Sequence, residues 1–127
     1  NITRTTGCHA LSYAITSTHG IPHGIAVALT LIPMLRFNGA ISDDDCIDPR
    51  GAHAVRNRID RLLKALDSSS INDACDKLLR LLRDIGVPVC LTHAGITSPD
   101  AVNDIVHSVN VQRMSNNPRR ATPSSLS

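Results

Sequence analysis

Two histidines near the start of the chain have the residue type and the spacing for a shared metal site. His9 and His23 lie fourteen residues apart in apolar helical runs, and Gly20-Ile21-Pro22 interrupts the helical pattern between them. On one continuous helix they would be about 21 Å apart, which is too far for one ion. With a break at Gly20, the helix carries the chain roughly 14 Å from His9 by Thr18. Five extended residues can then span up to about 16 Å. The sequence therefore predicts a helical hairpin that returns His23 to His9.

A metal site is one of two interpretations of these residues. In the first turn of a helix, the His23 imidazole can ligate a metal while nearby backbone N–H groups are free for an anion or a cofactor. However, a buried histidine is often only a hydrogen-bonded core residue, and two ligands are fewer than the three or four of a stable divalent site. No other His, Asp or Glu completes a set at convincing spacing. We interpret the remaining histidines as a solvated helix cap (His19) and as exposed or loop residues (His53, His93, His107).

These residues must be positioned by helices, since no segment alternates at period two. The second predicted helix is apolar nearly all round, which is typical of a central, buried helix. Helix start and stop signals predict five or six helices in an all-α fold without internal repeats. The first five run from about Ile2 to Ser17, from Pro22 or His23 to Phe37, from Asp48-Pro49 to Leu66, from Ser70 to Gly86, and from Ser98 toward Met114.

Composition excludes several classes of function. The chain has 127 residues, 42% of them hydrophobic, which is enough for one domain with a real core. A formal charge of +2 and an aromatic content of 2% argue against a nucleic-acid surface. The longest apolar run is too short to span a membrane. The four cysteines form no C-x-x-C pair, which favours reduced thiols in a cytoplasmic protein.

The two ends of the chain indicate a fragment. The sequence opens on Asn1-Ile2-Thr3 without Met and is helical in pattern almost at once. It closes on Thr122-Pro123-Ser124-Ser125, a helix start with no helix after it. We therefore expect residues 1–127 to be one domain truncated at both ends.

Three segments resemble the signature of the iron-containing (group III) alcohol dehydrogenase family. The first contains Gly7, His9 and Ala10, and the second contains Pro22-His23-Gly24. The third, Asn117-Pro118-Arg119 followed by Thr122, is similar to an N-P-R-x-x-T segment of that family. The similarity covers nearly the whole chain.

This resemblance implies a fold and a cofactor set. The fold would be the all-helical C-terminal domain of a dehydroquinate synthase-like, iron alcohol dehydrogenase fold, without the N-terminal α/β domain that binds NAD(P). His9 and His23 would be the last two of four metal ligands, with an Asp and a His supplied from upstream. The implied metal is Fe(2+), with Zn(2+) as the alternative. The implied enzyme is a homo-oligomeric NAD(P)-linked alcohol dehydrogenase, of which this chain alone would be inactive.

Substrate and catalytic residues also follow from the resemblance. Many family members carry a third histidine four residues after the first ligand, and here that position is Tyr13, which either relays a proton or simply packs. The opening segment is most similar to a subgroup that reduces phosphonoacetaldehyde to 2-hydroxyethylphosphonate. A dianionic substrate needs cationic or N–H donors, so we expect Thr5, Thr6 and Arg113 to bind it. We interpret the other arginines nearby as solvated (Arg4, Arg119, Arg120).

Two alternatives remain open from the sequence. A zinc glycerol dehydrogenase or a dehydroquinate synthase-like enzyme shares this architecture and a similar segment around the second histidine. A bare helical domain without activity is the other alternative. In either enzyme reading the partner is a small-molecule aldehyde or alcohol, with neither a nucleic acid nor a membrane involved.

Overall fold

The computed structural model describes residues 5–109 and 114–126, and this part of the chain is helical. Its β-type pairing is limited, within those residues, to one isolated antiparallel bridge between Cys46 and Arg119. The predicted all-α class is therefore confirmed. The helices are α1 (Gly7–His19), α2 (His23–Gly39), α3 (Gly51–Ala65), α4 (Ile71–Asp84), α5 (Pro99–His107) and α6 (Pro123–Leu126).

The helix boundaries follow from local chemistry, with two corrections to the sequence analysis. Gly20 ends α1 in the left-handed region at φ 67°, where glycine is favoured. The predicted fifth helix is too long, because α5 ends at His107 and Ser108 follows as its cap. The Ser108 hydroxyl donates to the Ile105 carbonyl at 3.0 Å, a local bond that competes with further helix. The second correction concerns the expectation that no helix follows Thr122, because the short helix α6 begins at Pro123.

The core is built around α2, which packs against α1 on one side and α4 on the other. Buried Met34 packs against α1, and buried Leu35 packs against α4. The expectation that α2 is a central, buried helix holds for only part of its surface, because Leu31 is 38% exposed. Leu31 lines an apolar cleft between α2 and α3, which leaves its side chain accessible.

Two further features bear on the class of protein. All four cysteines are free thiols, as predicted from their spacing. None of the helices in the described ranges is both long enough and apolar enough to cross a membrane.

Candidate metal centre

The helical hairpin brings the two histidines together, as their spacing predicts. His9 lies in the first turn of α1, and His23 is the first residue of α2. Between them the left-handed Gly20 stops α1, and Pro22 at φ −52° and ψ 135° leads the chain into α2. The two imidazole ring centroids are 5.3 Å apart, with their planes at 61°. The predicted proximity is confirmed, and the ligand role stays a prediction.

The distance between the rings fits coordination of one metal ion. Imidazole nitrogens bind zinc at about 2.0–2.1 Å, so two rings sharing one tetrahedral ion have centroids roughly 5 Å apart. The observed 5.3 Å lies in that range. His9 is half-buried and His23 is exposed, so the pair is accessible from outside the chain. Within the residues that the structure describes, no group of three or more His, Cys, Asp or Glu side chains is close enough to hold an ion. Among the described residues, the two histidines alone are therefore fewer than the three or four ligands of a stable divalent site.

Tyr13 belongs to the same cluster. It lies one helical turn after His9 on α1, and its ring centroid is 5.3 Å from that of His23 at an angle of 52°. The phenol ring is 46% exposed, so Tyr13 is not a core residue of this chain. The His23 ring therefore has both His9 and Tyr13 as neighbours on the accessible side of the hairpin.

The other residues expected at the site have different environments. Thr5 and Thr6 are exposed just before α1, and Thr6 occupies the N-cap position without a side-chain cap bond. Arg113 lies outside the described residues. His19 is not a solvated cap, because its Nε2 atom is buried and has no hydrogen-bond partner among the described residues. The three remaining histidines are exposed, as predicted (His53, His93, His107).

The Asn-Pro-Arg segment corrects the expectation for Arg119. Instead of being solvated, this side chain is 23% exposed and its Nε donates to the Asp45 carboxylate at 2.7 Å. Its Nη1 donates to the Phe37 carbonyl at 2.8 Å, and the guanidinium lies 4.5 Å from the centroid of the Phe37 ring. Backbone hydrogen bonding from Ser42, followed by Arg119, lowers the pKa of Asp45. Arg120 is exposed, as predicted.

Two polar contacts between α1, α2 and the Asn-Pro-Arg segment were not expected from the sequence. Thr30, in the middle of the apolar helix α2, bonds the first turn of α1. Asn117 is only 2% exposed and pairs with Asn38 at the end of α2. Asn38 and Asn117 belong to the segments that resemble the family, but nothing in their spacing indicates that they meet.

Comparison with known proteins identifies the family. The sequence model described as "Fe-containing alcohol dehydrogenase family, C-terminal" matches residues 1–126. The chain belongs to the iron-containing alcohol dehydrogenase family.

Two proteins that are similar to this chain carry more specific names. The chain is 37% identical over 131 residues to a phosphonoacetaldehyde reductase of Streptomyces viridochromogenes, covering 98% of this chain and 30% of the relative. It is also similar to the crystal structure of a sulfoacetaldehyde reductase from Bifidobacterium kashiwanohense in complex with NAD+, at 26% identity and a TM-score of 0.72. That match covers 96% of this chain and 29% of the solved one. The chain thus spans less than a third of the length of both proteins.

Proposed function

We propose that this chain is the metal-binding helical domain, residues 1–127, of an NAD(P)-linked aldehyde reductase of the iron-containing alcohol dehydrogenase family. The observation that carries the proposal is the 5.3 Å separation of the His9 and His23 ring centroids on an accessible face. In this proposal the two imidazoles are two of four metal ligands, and the other two come from outside this chain.

His9 and His23 would bind the metal as neutral imidazoles, each held in place by the helix that carries it. Bound there, Fe(2+), or Zn(2+) on the same ligands, would supply Lewis-acid polarisation of a carbonyl oxygen for hydride transfer from NAD(P)H. Tyr13 would hold and move the proton that the product alcohol needs, because its ring lies beside His23 and faces outward. The chain carries no residue that we assign to the dinucleotide.

The names of the two relatives support a substrate class. Phosphonoacetaldehyde and sulfoacetaldehyde are both two-carbon aldehydes that end in a tetrahedral oxyanion. We propose phosphonoacetaldehyde as the substrate, since the relative named for it is 37% identical over nearly the whole chain. Sulfoacetaldehyde is the second candidate, supported by the solved structure at 26% identity. Thr5, Thr6 and Arg113 remain the proposed contacts of the anionic group. A cytoplasmic location and a homo-oligomeric enzyme also stay predictions.

The experiment replaces one histidine in the full-length protein that contains this domain. In His23→Ala we expect bound metal, measured by plasma mass spectrometry, to be lost. NADH-dependent turnover of phosphonoacetaldehyde should fall by more than about 100-fold, since even partners of metal ligands contribute 10- to 100-fold. The helical circular dichroism should stay unchanged.

The matched control is His53→Ala, because His53 is an exposed histidine on α3 whose Nε2 lies 3.2 Å from Nδ2 of Asn57 on the same helix. This variant should keep wild-type metal content and turnover. Wild-type metal content and turnover in His23→Ala would refute the assignment of His23 as a ligand. Turnover of sulfoacetaldehyde but not of phosphonoacetaldehyde by the wild type would favour the second candidate substrate.

A further inference from the structure

The first turn of α1, which carries His9, is attached to α2 through Thr30. The Thr30 hydroxyl lies 3.3 Å from the carbonyl of Cys8 and 2.9 Å from the carbonyl of Val27 in its own helix, so its one proton is shared between these two acceptors. The Cys8 thiol donates to the carbonyl of Thr30 over 3.9 Å. Thr30 is buried, so these groups have little access to water that could replace the contact. This is one point of attachment between the two helices that carry the candidate ligands.

A second point of attachment is a pair of asparagine side chains. Asn38 Nδ2 donates to Asn117 Oδ1 at 3.1 Å, and Asn117 Nδ2 donates back to Asn38 Oδ1 at 2.8 Å. Asn117 Nδ2 also donates to the Arg119 carbonyl at 2.8 Å. Because a carbonyl only accepts, this third bond determines which way the Asn117 amide faces. The two amides are therefore locked in one relative orientation.

The Asn117 amide also touches the start of α1. A Cβ atom added at Gly7 would overlap Met34 Cε and would lie 3.0 Å from Asn117 Oδ1, which is closer than side chains normally approach. Glycine thus lets the backbone of the first turn rest directly on the amide. The neighbouring Asn116 holds the preceding residue, since its Nδ2 donates to the Thr5 carbonyl at 3.2 Å. Residues 5–7, immediately before His9, are held by residues 116 and 117.

We propose that the Asn38–Asn117 amide pair is a positioning device that sets the place of His9 relative to His23. The proposal rests on the proposed function, in which both histidines are metal ligands. His23 and Asn38 lie on one helix, α2, while Gly7 and His9 lie in one turn of α1. The pair therefore connects the two imidazoles through a closed frame of helices and directional bonds.

Two attachments restrict the first turn of α1 more than one does. Thr30 and Asn38 are eight residues apart on α2, which corresponds to about 12 Å along the helix. A turn held at both points cannot swing about either of them. Apolar contacts alone allow side chains to slide past each other, whereas paired amide hydrogen bonds weaken steeply when their geometry changes. The amide pair thus limits the distance between the two rings as well as stabilising the fold.

The test uses Cu(2+) alone as a probe of the two imidazoles in the 127-residue chain. The other histidines are changed to Gln so that His9 and His23 are the only imidazoles left (His19, His53, His93, His107). Electron paramagnetic resonance then counts the imidazole nitrogens on the copper. We expect two nitrogens in this background. With Asn38→Leu added we expect one nitrogen and about tenfold weaker binding, as for the loss of a residue that orients a ligand.

The control is Val55→Ala, which opens a cavity in the buried cluster of Ile41, Ala52 and Val55 and lowers stability without changing the amide pair. It should retain two nitrogens. If Asn38→Leu does not fold by circular dichroism, Asn38→Asp replaces it, because that change keeps the size of the side chain but removes the Nδ2 donor to Asn117 Oδ1. Asn38→Asp should also give one nitrogen.

Two results would overturn the positioning role. One is a folded variant, Asn38→Leu or its replacement, that keeps two nitrogens and full affinity. The other is loss of a nitrogen in Val55→Ala as well, which would mean that copper coordination only follows stability. If the background chain itself binds copper through one imidazole, the proposed ligand pair fails. That result is distinct from the first two, because it appears before any change at residue 38.

Discussion

We predict that replacing Arg119 lowers stability much more than replacing Arg120, although the two adjacent arginines carry the same charge. Arg119→Met keeps most of the aliphatic length of the side chain but removes the guanidinium. The guanidinium donates to the Phe37 carbonyl at 2.8 Å, pairs with Asp45 at 2.7 Å and lies 4.5 Å from the Phe37 ring centroid. These contacts join the Asn-Pro-Arg segment to the end of α2.

The magnitude follows from the contacts that are shielded from solvent. A hydrogen bond from a charged group contributes about 1.5–3 kcal/mol, and a partly exposed cation–π contact about 0.5–1 kcal/mol. The ion pair with Asp45 is left out of the sum, because partly exposed ion pairs contribute little. Arg119→Met should therefore lower the free energy of unfolding by about 2–4 kcal/mol.

The assay is urea unfolding of the chain followed by circular dichroism at 222 nm, with Arg120→Met as the matched control. The Arg120 side chain is exposed, and its backbone N–H, which bonds the Asp45 carbonyl at 2.8 Å, is unchanged by the substitution. A change within about 0.5 kcal/mol is expected there. Equal effects of the two substitutions would refute the argument, because Arg119 would then contribute no more to stability than a solvated arginine.

Two further predictions concern acid stability and proton transfer. Hydrogen bonding from Arg50 lowers the pKa of Asp48 from 3.8 to about 2. A carboxyl whose pKa is lowered in the folded state stabilises the fold above its unfolded pKa, and this stabilisation is lost as the pH falls. Between about pH 4 and pH 2, the free energy of unfolding of Asp48→Asn should therefore fall less than that of the wild type. An equal loss in acid urea titrations would contradict this assignment. In the full-length protein, Tyr13→Phe should lower kcat on phosphonoacetaldehyde by about 100-fold at similar KM, and an unchanged kcat would exclude the proton role.

The helical hairpin and its histidines could be predicted from the sequence because the signals are local. Gly20 permits the left-handed φ that ends α1, and Pro22 restricts its own φ, so the break between α1 and α2 is favoured by local sequence. The helical rise then determines how far His9 is from the break. The same reasoning predicted α4, whose N-cap Ser70 accepts from the Asp73 N–H at 3.1 Å. The helical rise and the reach of the short segment between the helices were therefore enough to predict that His9 and His23 lie close together.

Long-range contacts decided what the sequence could not show. Asn38 and Asn117 are 79 residues apart, and Arg119 is 82 residues from Phe37. The sequence of the Asn-Pro-Arg segment is compatible with a solvated loop, which is why Arg119 was expected at the surface. His19 was likewise assigned to solvent, although tertiary packing buries its Nε2. Whether a polar side chain is buried and paired depends on which distant element covers it. That element is determined only when the helices pack, because the residues next to a side chain in space are not those next to it along the chain.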